Sequence, residues 1–296
     1  LAKLFRVAIM HRMTDTYGPI PYSKVVEDSA ESLTVAYDTQ EEVYMKMFEE
    51  LDEVLAVLHA NEQLSADAFR KFDYVYYGDI LKWIKYTNSL KLRMAMRLSY
   101  VKPEVSKAKA AEAIADGVIT ANADNAMMHA PENRAALIYN DWRDHRVAAD
   151  IISYMNGYND NRRASYFEES KWPGETYVGL RRGINLSKMK EYFINYSRVK
   201  ISSSDPVLWM NAAEVAFLRA EATAIYGFNM KGTAADFYEQ GVRLSFEQWG
   251  ATGVDSYLAD ESSVPALYKD PAGLNTYEKN LSNITIKWNE GASKEE

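Results

Sequence analysis

Cysteine is absent from the 296 residues, so the chain has no disulfide framework, no thiolate nucleophile and no cysteine-based zinc site. Histidine is scarce: His11, His59, His129 and His145 are the four, and none stands in an HExxH or other metal-ligand spacing. Asp and Asn do not alternate ahead of a Glu anywhere, which removes a calcium loop, and no Gly-x-Ser-x-Gly or P-loop is present. No apolar run reaches the roughly 18 residues a membrane-spanning helix requires. Positive charge is in deficit, with 34 Lys and Arg against 42 Asp and Glu and a formal net charge of −8, so a nucleic-acid partner is not expected.

What the chain does contain is aromatic and apolar. Hydrophobic residues make up 47% of it, with 21 Tyr, 6 Trp and 12 Met, which is incompatible with a disordered chain and exceeds what a core alone requires. The stretch from Asp73 to Tyr100 organises the rest. Gly78 permits a turn, Asp79 can accept from the first free N–H groups of a helix, and neither Gly nor Pro follows until Pro103. At helical spacing Trp83, Thr87, Leu90, Met94 and Leu98 form one stripe, Lys82, Lys85, Arg93 and Arg97 a neighbouring face, and Leu92 and Met96 lie off that stripe. A helix apolar on more than one side is expected to be sandwiched between other helices.

Other helices are legible on either side. Leu1, Leu4, Phe5, Ala8 and Ile9 mark one that ends at the Tyr17-Gly18-Pro19-Ile20-Pro21-Tyr22 turn, where two prolines remove donors. Thr39 and Glu42 form a capping box before a stripe of Val43, Met47, Phe48, Leu51, Val54, Leu55 and Leu58. The alanine-rich run from Pro103 to Ala121 reads as a further amphipathic helix. Asp205 as cap with Pro206 at the first position opens a helix to about Tyr226, and a second runs from Thr233 to near Gly250, making a helical hairpin of tetratricopeptide-like size.

These motifs resemble those of the SusD/RagB family of outer-membrane nutrient-binding lipoproteins of Bacteroidetes. Tyr77-Gly78-Asp79, Lys82-Trp83 and Asn88-Ser89-Leu90-Lys91-Leu92-Arg93 followed by Met94-Ala95-Met96-Arg97 match its "GD...KW.K..NSLKLR.AMR" signature. The "YGPIPY" turn, "EVAFLRAEA" and Asn159–Arg163 with Tyr166-Phe167 are similar to further family segments. The resemblance implies an all-α, SusD-like array of tetratricopeptide-like hairpins over 1–296 as a single domain, a fragment cut at both ends. It begins at Leu1 rather than Met, and the family's signal peptide and lipid-modified cysteine would lie upstream. The resemblance also implies an outer-membrane location on the extracellular face, with attachment only through that missing lipid anchor. Its partner would be a SusC-like TonB-dependent transporter.

Buried polar groups at fixed helical offsets need partners, so Asn88 and Arg93 are expected to tie neighbouring helices together. Glu214, Arg219 and Glu221 are expected to form a structural ion-pair network. Ligand contacts are expected in the loop-rich region 129–184, where Gly and Pro concentrate and no long periodic run occurs. Its candidate binding residues are Tyr139, Trp142, Tyr154, Tyr158, Trp172 and Tyr177, since aromatic faces suit the C–H faces of sugar rings and neighbouring polar groups can bond hydroxyls. Tyr166 and Phe167, also there, belong to the family-like turn. Asp141, Asp144 and His145 could be drawn as an acid/base group, but nothing completes a nucleophile-base-orienter set. Binding of oligosaccharide without bond breaking, and without cofactor or metal, is the expected function. A peptide-binding member of the family and a helical interaction scaffold are the alternatives.

Overall fold

The computed structural model describes residues 1–25, 34–142, 144–185, 190 and 192–293. The chain divides into two compact units, one of 1–127 with 209–234 and the other of 128–208 with 235–296.

In the first unit, α1 (Ala2–Tyr17), α2 (Gln40–His59), α3 (Ile80–Arg97), α4 (Pro103–Asp116) and α7 (Ala212–Ala224) pack as a helical layer in which α3 touches the other four. The sandwiched helix expected from its apolar pattern is therefore present: fourteen of the eighteen residues of α3 are buried. Asp79 caps it, accepting from the Lys82 amide at 3.1 Å. Thr39 and Glu42 form the expected capping box on α2, and every residue of the predicted α2 stripe is buried. Trp83 is the aromatic hub. Phe5, Tyr76 and Tyr86 meet it edge to face at 5.5, 4.9 and 5.6 Å between ring centres.

The polar residues within this layer are tied as their spacing required. Asn88 donates to Asp116 at 2.7 Å, joining α3 to the end of α4. Arg93 grips Glu214 of α7 with two hydrogen bonds of 2.6 Å and reaches the Trp209 carbonyl at 3.2 Å. Glu214 is thus paired across helices rather than with Arg219, which donates to the Met230 carbonyl at 2.9 Å, so the expected network along α7 is replaced by one running between helices.

Two boundaries differ from expectation. Helix α4 stops at Asp116, with Gly117 at φ 108°, a backbone geometry L side chains avoid. Helix α7 starts six residues after Pro206. Val207–Met210 instead forms strand β2, paired with β1 (Ala126–Met128), and Asn211 is the cap, accepting from the Glu214 amide at 2.9 Å. A run of Val, Leu, Trp and Met suits an extended, half-buried chain better than a first helical turn.

The second unit has the short helices α5 (Ala149–Gly157), α6 (Arg163–Tyr166) and α9 (Val254–Leu258) and the longer α8 (Ala234–Gln248), held by irregular chain. Among the described residues three small cores support it. One gathers Ala149, Val178, Leu180, Tyr196 and Tyr268, a second Val147, Ile152, Met155 and Phe167, and a third Val242, Phe246 and Leu258. The family-like turn is structural: Asp160, 1% exposed, pairs with Arg162 at 2.5 Å, and Arg162 donates to Ser245 at 2.8 Å while covering the Phe246 ring.

Candidate ligand-binding surface

All six aromatic candidates lie in the second unit, and their surroundings separate them. Helix α5 turns Ala149, Ile152, Ser153 and Met155 inward and leaves Ile151 and Tyr154 exposed. Tyr154 meets Tyr158 edge to face, 5.9 Å between centres. Tyr158 is pinned in turn: its hydroxyl donates to the Ile284 carbonyl at 2.8 Å, and burial beside Tyr154 and Tyr238 pushes its phenol up to about 12. The helix is docked at its end by close backbone approach. The Ala266 amide donates to the Ser153 carbonyl at 2.8 Å, and a Cβ at Gly157 would sit 2.1 Å from the Val264 carbonyl oxygen, so only glycine fits there.

Polar groups flank this aromatic face. One turn before Tyr154, the Asp150 carboxylate accepts from the Tyr277 hydroxyl at 2.8 Å and from Arg182 Nε at 2.6 Å. Arg182 is largely exposed, and Arg181 lies over the Tyr277 ring at 5.2 Å. Burial and the Asp150 contact raise the Tyr277 phenol. An exposed ring beside an anchored carboxylate and a guanidinium with free N–H groups can stack on a sugar ring and bond its hydroxyls.

The other candidates stand elsewhere. Trp142, at the end of the π-helical turn Leu137–Trp142, is 60% exposed, and Tyr139 of the same turn lies 5.6 Å from the His145 ring. Trp172 is a packed side chain, stacked on Tyr192 at 5.8 Å and edge-on to Tyr196 at 5.7 Å. Tyr177 packs on the second core, against Phe167 at 6.5 Å and beneath Arg163. The structure brings together Tyr154 and Tyr158, and Trp172 and Tyr177 each pack on other rings.

Two partly buried aromatics from outside the loop-rich region continue the packing around Tyr158. Tyr238 of α8 stands beside Tyr158, its hydroxyl reaches the Ile286 carbonyl at 2.5 Å, and Trp288 lies 5.5 Å from its ring. The helical pattern around Tyr238 marks only a core-facing helix, and nothing local to Trp288 shows that its segment returns to α8.

The first unit holds a cleft of about 740 Å³ between the end of α1, the start of α2 and the end of α3. Its charged side chains are mostly paired with one another, as Arg97 with Asp15 at 3.0 Å and Lys102 with Glu41 at 2.7 Å. Among the described residues no cluster of three or more His, Asp or Glu is arranged to hold a metal ion, and no helix is long and apolar enough to cross a membrane.

Comparison with known proteins matches the whole chain, residues 1–296, to the family model "SusD-like: Susd and RagB outer membrane lipoprotein". No curated protein matches. Among solved structures, a SusD homologue from Bacteroides uniformis is 70% identical, with 99% of this chain and 62% of that one aligned and a TM-score of 0.93. A SusD homologue from Bacteroides thetaiotaomicron is 49% identical over 98% of this chain and 59% of that one, TM-score 0.91. A chitin-binding SusD homologue from Flavobacterium johnsoniae is 40% identical over 99% and 61%, TM-score 0.88. The chain thus spans about three fifths of the length of these solved relatives. Its mostly helical fold, the matched signature and these likenesses agree: the chain belongs to the SusD-like family of outer membrane lipoproteins.

Proposed function

We propose that this chain is part of a protein that captures oligosaccharide at the outer face of the outer membrane and delivers it to a SusC-like TonB-dependent transporter, without breaking bonds in it. The observation that carries the ligand class is the outward face of α5, where exposed Tyr154 stands against Tyr158 and beside the Asp150–Arg182 pair. Chitin binding by the Flavobacterium johnsoniae relative supports a saccharide. Membership in the family supports the membrane location and the transporter partner. Stacking area and a few hydrogen bonds set the affinity, so it is modest, in keeping with the cost of ordering a flexible glycan.

The test is titration of the full chain with a panel of chito-, malto- and xylo-oligosaccharides, with basic peptides as the competing class, and with Tyr154→Ala and Trp142→Ala variants alongside. Saturable glycan binding without product, weakened about tenfold by Tyr154→Ala, is expected if the lost stacking is worth roughly 1.4 kcal/mol. Binding of peptides but no glycan overturns the saccharide reading, and glycan binding indifferent to both substitutions overturns the site. Trp172→Ala is a poor probe, because removing a ring packed on Tyr192 and Tyr196 disturbs the core itself.

A further inference from the structure

We propose a second saccharide-contact site in the first unit, a hollow of about 420 Å³ lined by Asp67, Arg70, Lys71, Asp73, Tyr74 and Tyr77. It takes its ligand class from the reading above but shares no residue with the α5 surface. Its volume lies within the range of small-molecule sites, roughly 300–1,000 Å³.

The segment that carries it is irregular yet fixed. The buried Asp73 carboxylate accepts from the amides of Val75, Tyr76 and Gly78 and from the Trp83 indole. Gly78, at φ 91°, lies so close to Ala66 that a Cβ would sit 2.2 Å from its carbonyl oxygen. Tyr77 is held at φ 53°, a left-handed geometry that disfavours a bulky side chain. Backbone strain of that kind persists only where surrounding contacts over-determine it, and it concentrates at ligand clamps.

Held this way, the segment turns large rings outward. Tyr74 is 50% exposed and Tyr77 45%, and neighbouring Phe72 is 72% exposed with the Lys71 ammonium 4.9 Å above its ring. Three exposed aromatics thus fall within six residues of a segment otherwise anchored by polar contacts, and two of them, Tyr74 and Tyr77, line the hollow. Rings on a preformed loop bind without an ordering cost at the site.

Charge selects the ligand class. The hollow has two acids, Asp67 and Asp73, and two bases, Arg70 and Lys71, and Arg70 pairs with Asp67 at 3.2 Å. A balanced lining favours neither an anion nor a cation. Rings for stacking with carboxylate and guanidinium at the rim fit an uncharged, polyhydroxylated pyranose.

The experiment titrates the full chain with chito-, malto- and xylo-oligosaccharides and compares wild type with Tyr74→Phe, Tyr74→Ala, Tyr74→Ala/Tyr77→Asn and Tyr154→Ala. Asn tolerates the left-handed backbone, so the double variant removes both rings without adding strain. Far-ultraviolet circular dichroism checks that each variant is folded. Two binding events are expected in wild type. Tyr74→Phe keeps the hollow's event, whereas Tyr74→Ala weakens it about tenfold and the double variant abolishes it; all three leave the Tyr154-dependent event unchanged. A wild type that shows the Tyr74-dependent event but none weakened by Tyr154→Ala overturns the α5 site and leaves this one standing. A folded double variant that binds every glycan as wild type does, or a wild type with no event sensitive to Tyr74, overturns this proposal.

Discussion

Replacing Asp73 tests whether one buried carboxylate organises the entry to α3. Its Oδ1 accepts from the Val75 and Tyr76 amides at 2.9 and 3.1 Å, and its Oδ2 from the Gly78 amide and the Trp83 indole, both at 2.8 Å. All four donors lie on buried or nearly buried groups, and Trp83 is fully inaccessible. Asp73→Ala strands them together. At roughly 1 kcal/mol or more for each unsatisfied donor, and with some water entering the vacated space, the loss is about 4 kcal/mol. Asp73→Asn is nearly isosteric, but its amide nitrogen faces two of the donors, so about 2 kcal/mol is expected. For a protein of this size 1 kcal/mol corresponds to roughly 2–4 °C in Tm, which puts Asp73→Ala about 8–16 °C below wild type. Urea unfolding followed by tryptophan fluorescence reads both variants, and the Trp83 indole reports the site directly. An Asp73→Asn variant within about 0.5 kcal/mol of wild type would refute the four-donor account, because shape alone would then explain Asp73.

Arg93 and Glu214 offer a second test: Arg93→Met should cost about 2–3 kcal/mol, less than a fully buried pair because Glu214 keeps contact with solvent. A double-mutant cycle with Glu214→Gln should return a coupling near 1 kcal/mol or more, and additivity would mean the fork contributes little. His11, buried in α1 with its ring against the Val7 carbonyl, has its pKa lowered by burial first and then by Arg93 and Arg97, with Asp15 opposing. The folded state therefore prefers neutral His11, and its contribution, present above the unfolded value near 6.5, is lost as pH falls from there through the lower folded value. His59 has the opposite sign, raised by Glu62 and Asp116, so its contribution is present at low pH and lost as pH rises through its folded value. Unfolding free energy measured from about pH 7.5 to 5 in a His59→Gln background should fall toward acid, and adding His11→Gln should flatten it; an unchanged slope would remove His11 as the cause.

The first unit was legible because its information is local. Caps at Thr39 and Asp79, and apolar stripes at helical spacing, lie within a few residues of the backbone they control, and the structure places α2 and α3 accordingly. Asn88 and Arg93 could be assigned to helix tying because a polar group inside an apolar stripe must find a partner, although the partner itself could not be named. Arg93 shows the limit. Its partner stands 121 residues away, and spacing along α7 pointed to Arg219 instead. Asp205-Pro206 misled for a related reason: the cap-and-proline pattern is local, whereas pairing of β2 with β1 is not.

The candidate surface is hard to read for the same physical reason. Composition located a loop-rich aromatic region, but whether a ring is exposed depends on which remote segment covers it. Trp172 is covered by Tyr192 and Tyr196, Tyr158 is pinned by a carbonyl 126 residues away, and Tyr154 is left outward because Ala149, Ile152 and Met155 take the opposite side of α5 into the cores. One short helix thus spends Ile152 and Met155 on a core and Tyr154 on solvent. Tyr154 packs one edge on Tyr158 and keeps part of its ring in solvent, while Asp150 one turn before it is already satisfied by Arg182 and Tyr277. A carboxylate so engaged needs no ligand to justify it, and it stands ready to accept a hydroxyl without reorganising. On the proposed reading, a supported ring beside a satisfied ion pair would hold a glycan by stacking and hydrogen bonding, which is the chemistry a capture protein requires.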